Sequence, residues 1–354
     1  KTLIEWSDLG DSLSAAPLSP RAEKDTKTRF TKIEGATVGI EFQNFLKREN
    51  IKNYLLTGAG LTIGDYDHNG LPDLFLVSQD GENKLYRQTA PWQFEDATAS
   101  AGLTETERWG AGAAFADVNN DGHLDLYLCN KGAHDILYIN LKNGTFKRHE
   151  FGSGTAIYRA PTMVAFSDFD RDGDLDFYRT ETRLLSIKEM FDYKIDMIKN
   201  EQGQIVPAPQ YARDVAQLGG GLVEQGTFDH LFLNESAEKL VFRDVTRKAG
   251  ISITREHGLA AVWWDYNNDL NPDLYVSNDF HTPDHLYHNK GDGSFSDIIG
   301  SSLPYTSWNS MGSDFADINN DGWFDYLSTD MSATTHFKQK TMMGAMSATA
   351  WFLD

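Results

Sequence analysis

The chain has 354 residues, 40% hydrophobic and 12% aromatic, enough to bury the core of one large domain or two ordinary ones and too apolar for a disordered chain. Its formal charge of -20, from 52 acidic against 32 basic residues, is spread along the sequence; it disfavours nucleic acid and anionic membrane as partners and favours divalent cations. The single cysteine, Cys129, lies in an apolar run and excludes an intrachain disulfide and a thiolate zinc site, and no run approaches the roughly 20 apolar residues that cross a bilayer.

In chain order, residues 1–29 read as an N-terminal extension, whose start "KTLIEWSDLG" lacks the apolar segment of a signal peptide. "FTKIEGATVGI", residues 30–40, is read as the last strand of a repeating unit, and repeats are expected from there to residue 354. The first complete unit contains "GDYDHNGLPD", in which Asp65, Asp67 and Asn69 alternate, Gly70 follows and Asp73 closes the loop. The loop recurs as "DVNNDGHLD" from Asp117, "DFDRDGDLD" from Asp168, "DYNNDLNPD" from Asp265 and "DINNDGWFD" from Asp317. The steps are 52, 51, 97 and 52 residues, so the third interval holds one repeat plus an insertion, placed at about 179–226.

The flanks repeat in step with the loops. Small and apolar segments precede each loop ("GAGLTIGDYD", "GAGAAFADVN", "GLAAVWWDYN"), and an apolar, β-branched or aromatic run follows it ("LFLVS", "LDLYLCN", "LYVSN"). A polar turn then leads to a strand ending in a Leu-aromatic pair ("NKLYRQ", "DILYIN", "DHLFLN", "DHLYHN"), and a short strand around a Phe closes the unit. Four short strands per unit predict an all-β protein, a β-propeller of four-stranded blades that must pack on one another, because one blade cannot bury both faces of its sheet. In the insertion, "RLLSIKEMFDYKIDMIKN" has apolar residues at helical spacing and predicts a helix over the propeller.

The loop composition points to calcium, a hard cation that takes roughly six to eight oxygen ligands. Side-chain ligands are expected at positions 1, 3, 5 and 9: Asp65, Asp67, Asn69 and Asp73; Asp117, Asn119, Asp121 and Asp125; Asp168, Asp170, Asp172 and Asp176; Asp265, Asn267, Asp269 and Asp273; Asp317, Asn319, Asp321 and Asp325. Position 7 is expected to offer a backbone carbonyl, from Leu71, His123, Asp174, Asn271 and Trp323. An EF-hand is rejected, because position 12 is Leu76, Leu128, Arg179, Val276 or Ser328 rather than a bidentate Glu, and strand-like runs replace the flanking helix. Up to five Ca²⁺ are expected. The fourth loop is the weakest, since Leu270 stands where the other four have Gly at a sharp turn.

These loops and the "LYRQ", "LYIN" and "LYHN" strands resemble the FG-GAP or VCBS repeat family, the blades of integrin α-subunit heads and of the cartilage acidic protein and ASPIC/UnbV group. The resemblance implies a seven-bladed type of propeller with calcium in the hairpin between the first two strands of a blade; five loops are present here. It also implies an extracellular, cell-surface or periplasmic location and a non-catalytic interaction or adhesion module. A protein or glycan partner is expected on the face opposite the calcium loops, from which the insertion leaves, within a larger cell-surface assembly.

Sequence motifs of enzymes are missing: there is no HExxH, GxSxG, phosphate-binding Gly-rich loop with Lys, or dinucleotide fingerprint. The competing reading is a secreted propeller enzyme acting on polysaccharide, a lyase or hydrolase, or a carbohydrate-binding protein. "HTPDHLYH" brings His281, His285 and His288 close in sequence, but His288 falls in a strand pattern whose sister repeats carry other polar residues. Trp109, Trp263, Trp264 and Trp308 read as core or blade packing, with stacking on a sugar or peptide as the alternative, and "NGT" at Asn143 and "NES" at Asn234 are sequons.

Overall fold

The computed structural model describes residues 7–10, 13–15, 31–47, 59–104, 109–149, 160–183, 197–209, 215–218, 221–224, 226–235, 240–279, 282–307 and 309–330. The extension contributes a hairpin of β1 (Ser7–Gly10) and β2 (Leu13–Ala15). Blade 1 is β3 (Leu61–Gly64), β4 (Asp73–Leu76), β5 (Lys84–Ala90) and β6 (Gln93–Asp96). Blade 2 is β7 (Trp109–Ala116), β8 (Asp125–Lys131), β9 (Ile136–Asn140) and β10 (Phe146–His149).

Blade 3 begins with β11 (Pro161–Ser167) and β12 (Asp176–Glu181). Two hairpins interrupt it, β13 (Met197–Lys199) with β14 (Ile205–Pro207) and β15 (Val215–Leu218) with β16 (Gly221–Glu224), before β17 (His230–Asn234) and β18 (Phe242–Asp244) complete the sheet. Blade 4 is β19 (Gly258–Trp264), β20 (Asp273–Asn278), β21 (His285–Asn289) and β22 (Phe295–Asp297), followed by a single helical turn, α1 (Ile299–Ser302). Of blade 5 the described residues hold the first hairpin, β23 (Ser310–Ala316) and β24 (Asp325–Asp330).

Every sheet is antiparallel and runs in chain order, so the expected blades are present. The first strands follow one another side by side, β3 against β7, β7 against β11, β11 against β19 and β19 against β23, and form the inner edge of an arc. The small residues before each loop serve this convergence: a Cβ on Gly112 would lie 2.5 Å from the carbonyl oxygen of Thr162 in the next inner strand.

The second strands of blades 2, 3 and 4 are the most buried, because each is covered by both neighbouring blades. Alternation along β8 shows the division: Leu126 and Leu128 join the cluster shared with blade 1 (Phe75, Leu85), whereas Tyr127 and Cys129 join the one shared with blade 3 (Phe177, Phe232). A third cluster, including Tyr178, Leu231, Leu274 and Val276, fills the space between blades 3 and 4. Cys129 is fully buried, and burial pushes its thiol well above the usual range.

Two expectations need correction. Residues 31–40 contain no strand; Gly35–Val38 form a turn of 3-10 helix ended by Gly39 at φ 88°. The repeat signal there belongs to the connector that follows a fourth strand. The Glu41 N–H donates to Tyr86 Oη at 3.2 Å as the Ser252 N–H donates to Tyr287 Oη in blade 4, also at 3.2 Å. The helix expected over 183–200 falls largely outside the described residues, and its last part, Met197–Lys199, is strand. The turn Asn200–Gly203 that follows favours a hairpin over continued helix.

Candidate metal centres

In all five blades the residue before loop position 1 pairs with position 9: Gly64 with Asp73, Ala116 with Asp125, Ser167 with Asp176, Trp264 with Asp273 and Ala316 with Asp325. Identical register fixes an identical loop. Positions 4 and 6 both take left-handed backbone, His68, Asn120, Arg171, Asn268 and Asn320 at φ 55–65° and the following Gly70, Gly122, Gly173 and Gly322 at 84–96°. Leu270 adopts the same conformation, φ 71°, without glycine's freedom.

This curl turns position 1 inward over the loop. Asp65 accepts from the N–H groups of Asn69 (3.0 Å) and Gly70 (2.8 Å), and Asp117, Asp168, Asp265 and Asp317 accept from the same two positions of their own loops. Position 5, Asn69, Asp121, Asp172, Asp269 or Asp321, accepts from the N–H of position 7, which is Leu71, His123, Asp174, Asn271 or Trp323.

Position 9 is different in kind. Asp73, Asp125, Asp176 and Asp273 are fully buried, and each carboxylate is gripped by two backbone donors, one from position 2 and one from the end of the third strand. Among the described residues, Asp325 has the first, from the Ile318 N–H at 3.0 Å. Burial is the largest cause that raises these carboxyl groups, with neighbouring loop carboxylates adding to it against the backbone hydrogen bonds: Asp73 reaches about 6, Asp125 about 7 and Asp176 about 8.

Asp65, Asp67 and Asp73, and likewise Asp168, Asp170 and Asp176, bring carboxylate oxygens within 4.8 Å of one another. No other loop forms such a trio among the described residues. The reason is position 3, which is Asn in loops 2, 4 and 5; Asn119, Asn267 and Asn319 donate to the position 5 carboxylates of Asp121, Asp269 and Asp321. Among the described residues, Arg87 touches Asp67 and Lys142 touches Asp121. The donor set is all oxygen, negatively charged and partly desolvated, which fits a hard divalent cation such as calcium.

The loops also touch each other. The imidazoles of His68 in loop 1 and His123 in loop 2 stack with centroids 4.1 Å apart, and Asn120 in loop 2 donates to Gly173 O and Asp174 in loop 3.

Two recurrent residues were hidden inside strand motifs that the sequence reading used only for their apolar pairs. The Asp opening "DILY", "DHLF" and "DHLY" is buried at the opposite end of the blade: Asp135, Asp229 and Asp284 each accept a tyrosine hydroxyl, from Tyr127, Tyr178 and Tyr275, and a backbone N–H at the end of the second strand. Blade 1 has Asn83 in that place, opposite Phe75, which has no hydroxyl; Asn83 still accepts from the Ser78 N–H at 2.8 Å. The second residue is the Asn closing "LYIN", "LFLN" and "LYHN". The co-variation of Asp with Tyr and Asn with Phe within one chain was the available signal.

The insertion joins the second and third strands of blade 3 and so leaves opposite the metal loops, as expected. On that side Arg179 bridges Asp135 (2.8 Å) and Glu181 (2.6 Å), all buried. The histidines of "HTPDHLYH" do not form one site: His285 binds Glu256 and Asp297, His288 binds Asp273, and His281 lies outside the described residues. Trp263 stacks on Phe169 and Trp264 on Phe315, both blade packing, while Trp308 lies outside the described residues. Of the sequons, Asn143 is on an exposed turn, whereas Asn234 is 2% exposed and donates its amide to two carbonyls.

Four-stranded blades arranged side by side, each with an oxygen-rich loop in its first hairpin, define a β-propeller-like repeat protein. The chain belongs to the FG-GAP-like repeat family, whose model matches residues 65–128, 117–178 and 265–328, together half of the sequence. Human cartilage acidic protein 1 is 29% identical over 123 residues, covering 34% of this chain, and the Xenopus tropicalis protein of that name is 27% identical over 124. The match spans 19% of the length of these curated relatives. Among solved structures, the V. cholerae biofilm matrix protein Bap1 is similar with a TM-score of 0.35 and 12% identity, over 76% of this chain and 34% of that one. Among the described residues no helix is long and apolar enough to cross a membrane.

Proposed function

We propose that the chain is a non-catalytic, calcium-stabilised propeller module that works outside the cytoplasm, at a cell surface, in the extracellular space or in the periplasm. It presents the face opposite its metal loops to a protein or glycan. The observation that carries the calcium reading is the recurrence of one loop geometry in five blades, four of them with a fully buried position 9 carboxylate that, among the described residues, is paired with no lysine or arginine. A bound divalent cation supplies that charge and joins the two strands of each hairpin. Asp65, Asp67, Asn69 and Asp73 would hold it in loop 1, and the equivalent residues in the others.

An extracellular setting suits such sites, since millimolar-range calcium fills loops too weak for the cytosol. The family and the likeness to cartilage acidic protein 1 support the same placement. Excess chelator is expected to lower the melting temperature and added calcium to restore it, because a ligand bound only by the folded state contributes about 2.7 kcal/mol at a hundredfold its dissociation constant. Protein that takes up no calcium in equilibrium dialysis, or that melts identically with and without it, would refute the reading.

A further inference from the structure

The metal loops of successive blades are joined by an unbroken line of hydrogen bonds. Asn140, at the end of β9, donates its side-chain amide to the carbonyl of Tyr66, position 2 of loop 1, at 2.8 Å, while its backbone N–H donates to Asp125 Oδ1, position 9 of loop 2, at 2.8 Å. Asp125 Oδ2 accepts from the N–H of Val118, position 2 of loop 2, at 3.2 Å. The carbonyl of Val118 is bonded by Asn234 Nδ2 (3.1 Å), whose backbone N–H holds Asp176 of loop 3 (2.8 Å). Phe169, position 2 of loop 3, donates to that Asp176 and accepts from Asn289 Nδ2 (2.8 Å), whose backbone N–H holds Asp273 of loop 4.

Each link therefore runs from the peptide of one loop, through an asparagine of the next blade, to the buried carboxylate of the next loop. Asparagine fits because its amide supplies two donors: the second serves its own loop, at Leu124, Leu175 or Pro272. In blade 1 the corresponding residue is Gln88, which donates to Pro72 O at 2.7 Å and accepts from the Trp92 N–H at 2.8 Å, both on its own blade; among the described residues there is no metal loop of a preceding blade. Among the described residues the line can be followed as far as loop 4.

We infer that loops 1 to 4 bind calcium cooperatively, with Asn140, Asn234 and Asn289 as the positioning residues that couple them. An ion that fixes one position 9 carboxylate also fixes the position 2 peptide on which the next asparagine is anchored, so less remains to be ordered when the neighbouring loop is filled. The inference rests on the calcium reading above.

The test is calcium titration calorimetry on the full chain, with melting curves in chelator as a check of folding. The wild type is expected to titrate with a Hill coefficient above 1. Asn234→Gln together with Asn289→Gln, whose extra methylene shifts the amide off its two carbonyls and which leaves only the Asn140 link, is expected to lower it towards 1 and to weaken binding at loops 3 and 4 about fivefold or more. A variant that melts like the wild type in chelator and keeps the wild-type isotherm overturns the coupling. Should the double variant fold poorly, Asp168→Ala decides instead: coupling predicts that loops 2 and 4 weaken with loop 3, whereas loss of one equivalent with the others unchanged overturns it. A wild type that binds calcium with independent sites overturns the coupling alone, and a wild type that binds none removes the calcium reading as well.

Discussion

At Leu270 the loop keeps its backbone at the expense of the residue. The Leu270 N–H still donates to Asp265 at 2.8 Å, as Gly70 does to Asp65, so the hydrogen bonds of the loop hold a non-glycine residue in left-handed backbone, which costs roughly 1–2 kcal/mol. Its side chain is 70% exposed and contributes little packing in return. Leu270→Gly is therefore expected to raise stability by about 1 kcal/mol after the entropy of the added glycine is discounted. Gly122→Ala is expected to lower it by about the same, since a Cβ there meets nothing within 4 Å and only the backbone suffers. Melting both variants in chelator separates the backbone effect from calcium affinity. Two buried groups on the other face set a pH dependence. Burial, with Glu256 and Glu181 nearby, raises Asp229 to about 8 against its bonds from Glu181 N–H and Tyr178. For His285 burial opposes the charge, but hydrogen bonds to Asp297 and Glu256 prevail and raise it to about 10. In both cases the folded state holds its proton longer than the unfolded chain, so stability falls as pH rises, through about 4 to 8 for Asp229 and about 6.5 to 10 for His285. Melting temperature is expected to fall from pH 6.5 to 9, and Asp229→Asn to lessen the slope below 8, to which Asp125 and Asp176 also contribute; an unchanged slope in that variant would remove Asp229 from the account.

At the scale of the element, the turn between second and third strands depends on a matched pair. Tyr275→Phe removes the hydroxyl that donates to Asp284 at 2.7 Å and leaves a buried carboxylate one donor short, a loss of about 1–3 kcal/mol. Adding Asp284→Asn recreates the Phe75 and Asn83 combination of blade 1 and is expected to recover part of that loss; a double variant no more stable than the single one would show that the pairing in blade 1 is coincidental. The same turn shows what was legible in the sequence. Strands and loops were, because each blade states them again: period-two apolar runs give the strands, and Asp, Asn and Gly at fixed offsets give the loops. Residue roles were less legible where chemistry crosses between blades. Asn140, Asn234 and Asn289 close obvious strands, but their partners are carbonyls 74, 116 and 120 residues away in sequence, and no local pattern specifies that distance. Residues 30–40 misled for a related reason: the segment repeats a connector, whose Ala-Gly-apolar signal sits next to the Phe of a fourth strand in blades 1 and 3.

At the scale of the molecule, burial is unequal along the arc. In blades 2, 3 and 4 every residue of the second strand is buried, because a blade stands on each side and the third strand completes the hydrogen bonds. In blade 5 the second strand, β24, is paired with β23 alone among the described residues, and Leu327, Trp323 and Phe324 beside it are more than half exposed. Opening that hairpin breaks one set of backbone bonds and uncovers little apolar surface, whereas opening β20 breaks two sets and uncovers Leu274, Tyr275 and Val276. Hydrogen exchange is therefore expected to rank β20 above β24 in protection. Calcium should raise the protection of β19 and β20, whose loop position 9 carboxylate is gripped from two strands. Equal protection in β20 and β24 would mean that a further strand or a second molecule covers the β24 edge in solution, and repeating the exchange at several protein concentrations separates those two: only a second molecule makes the protection depend on concentration.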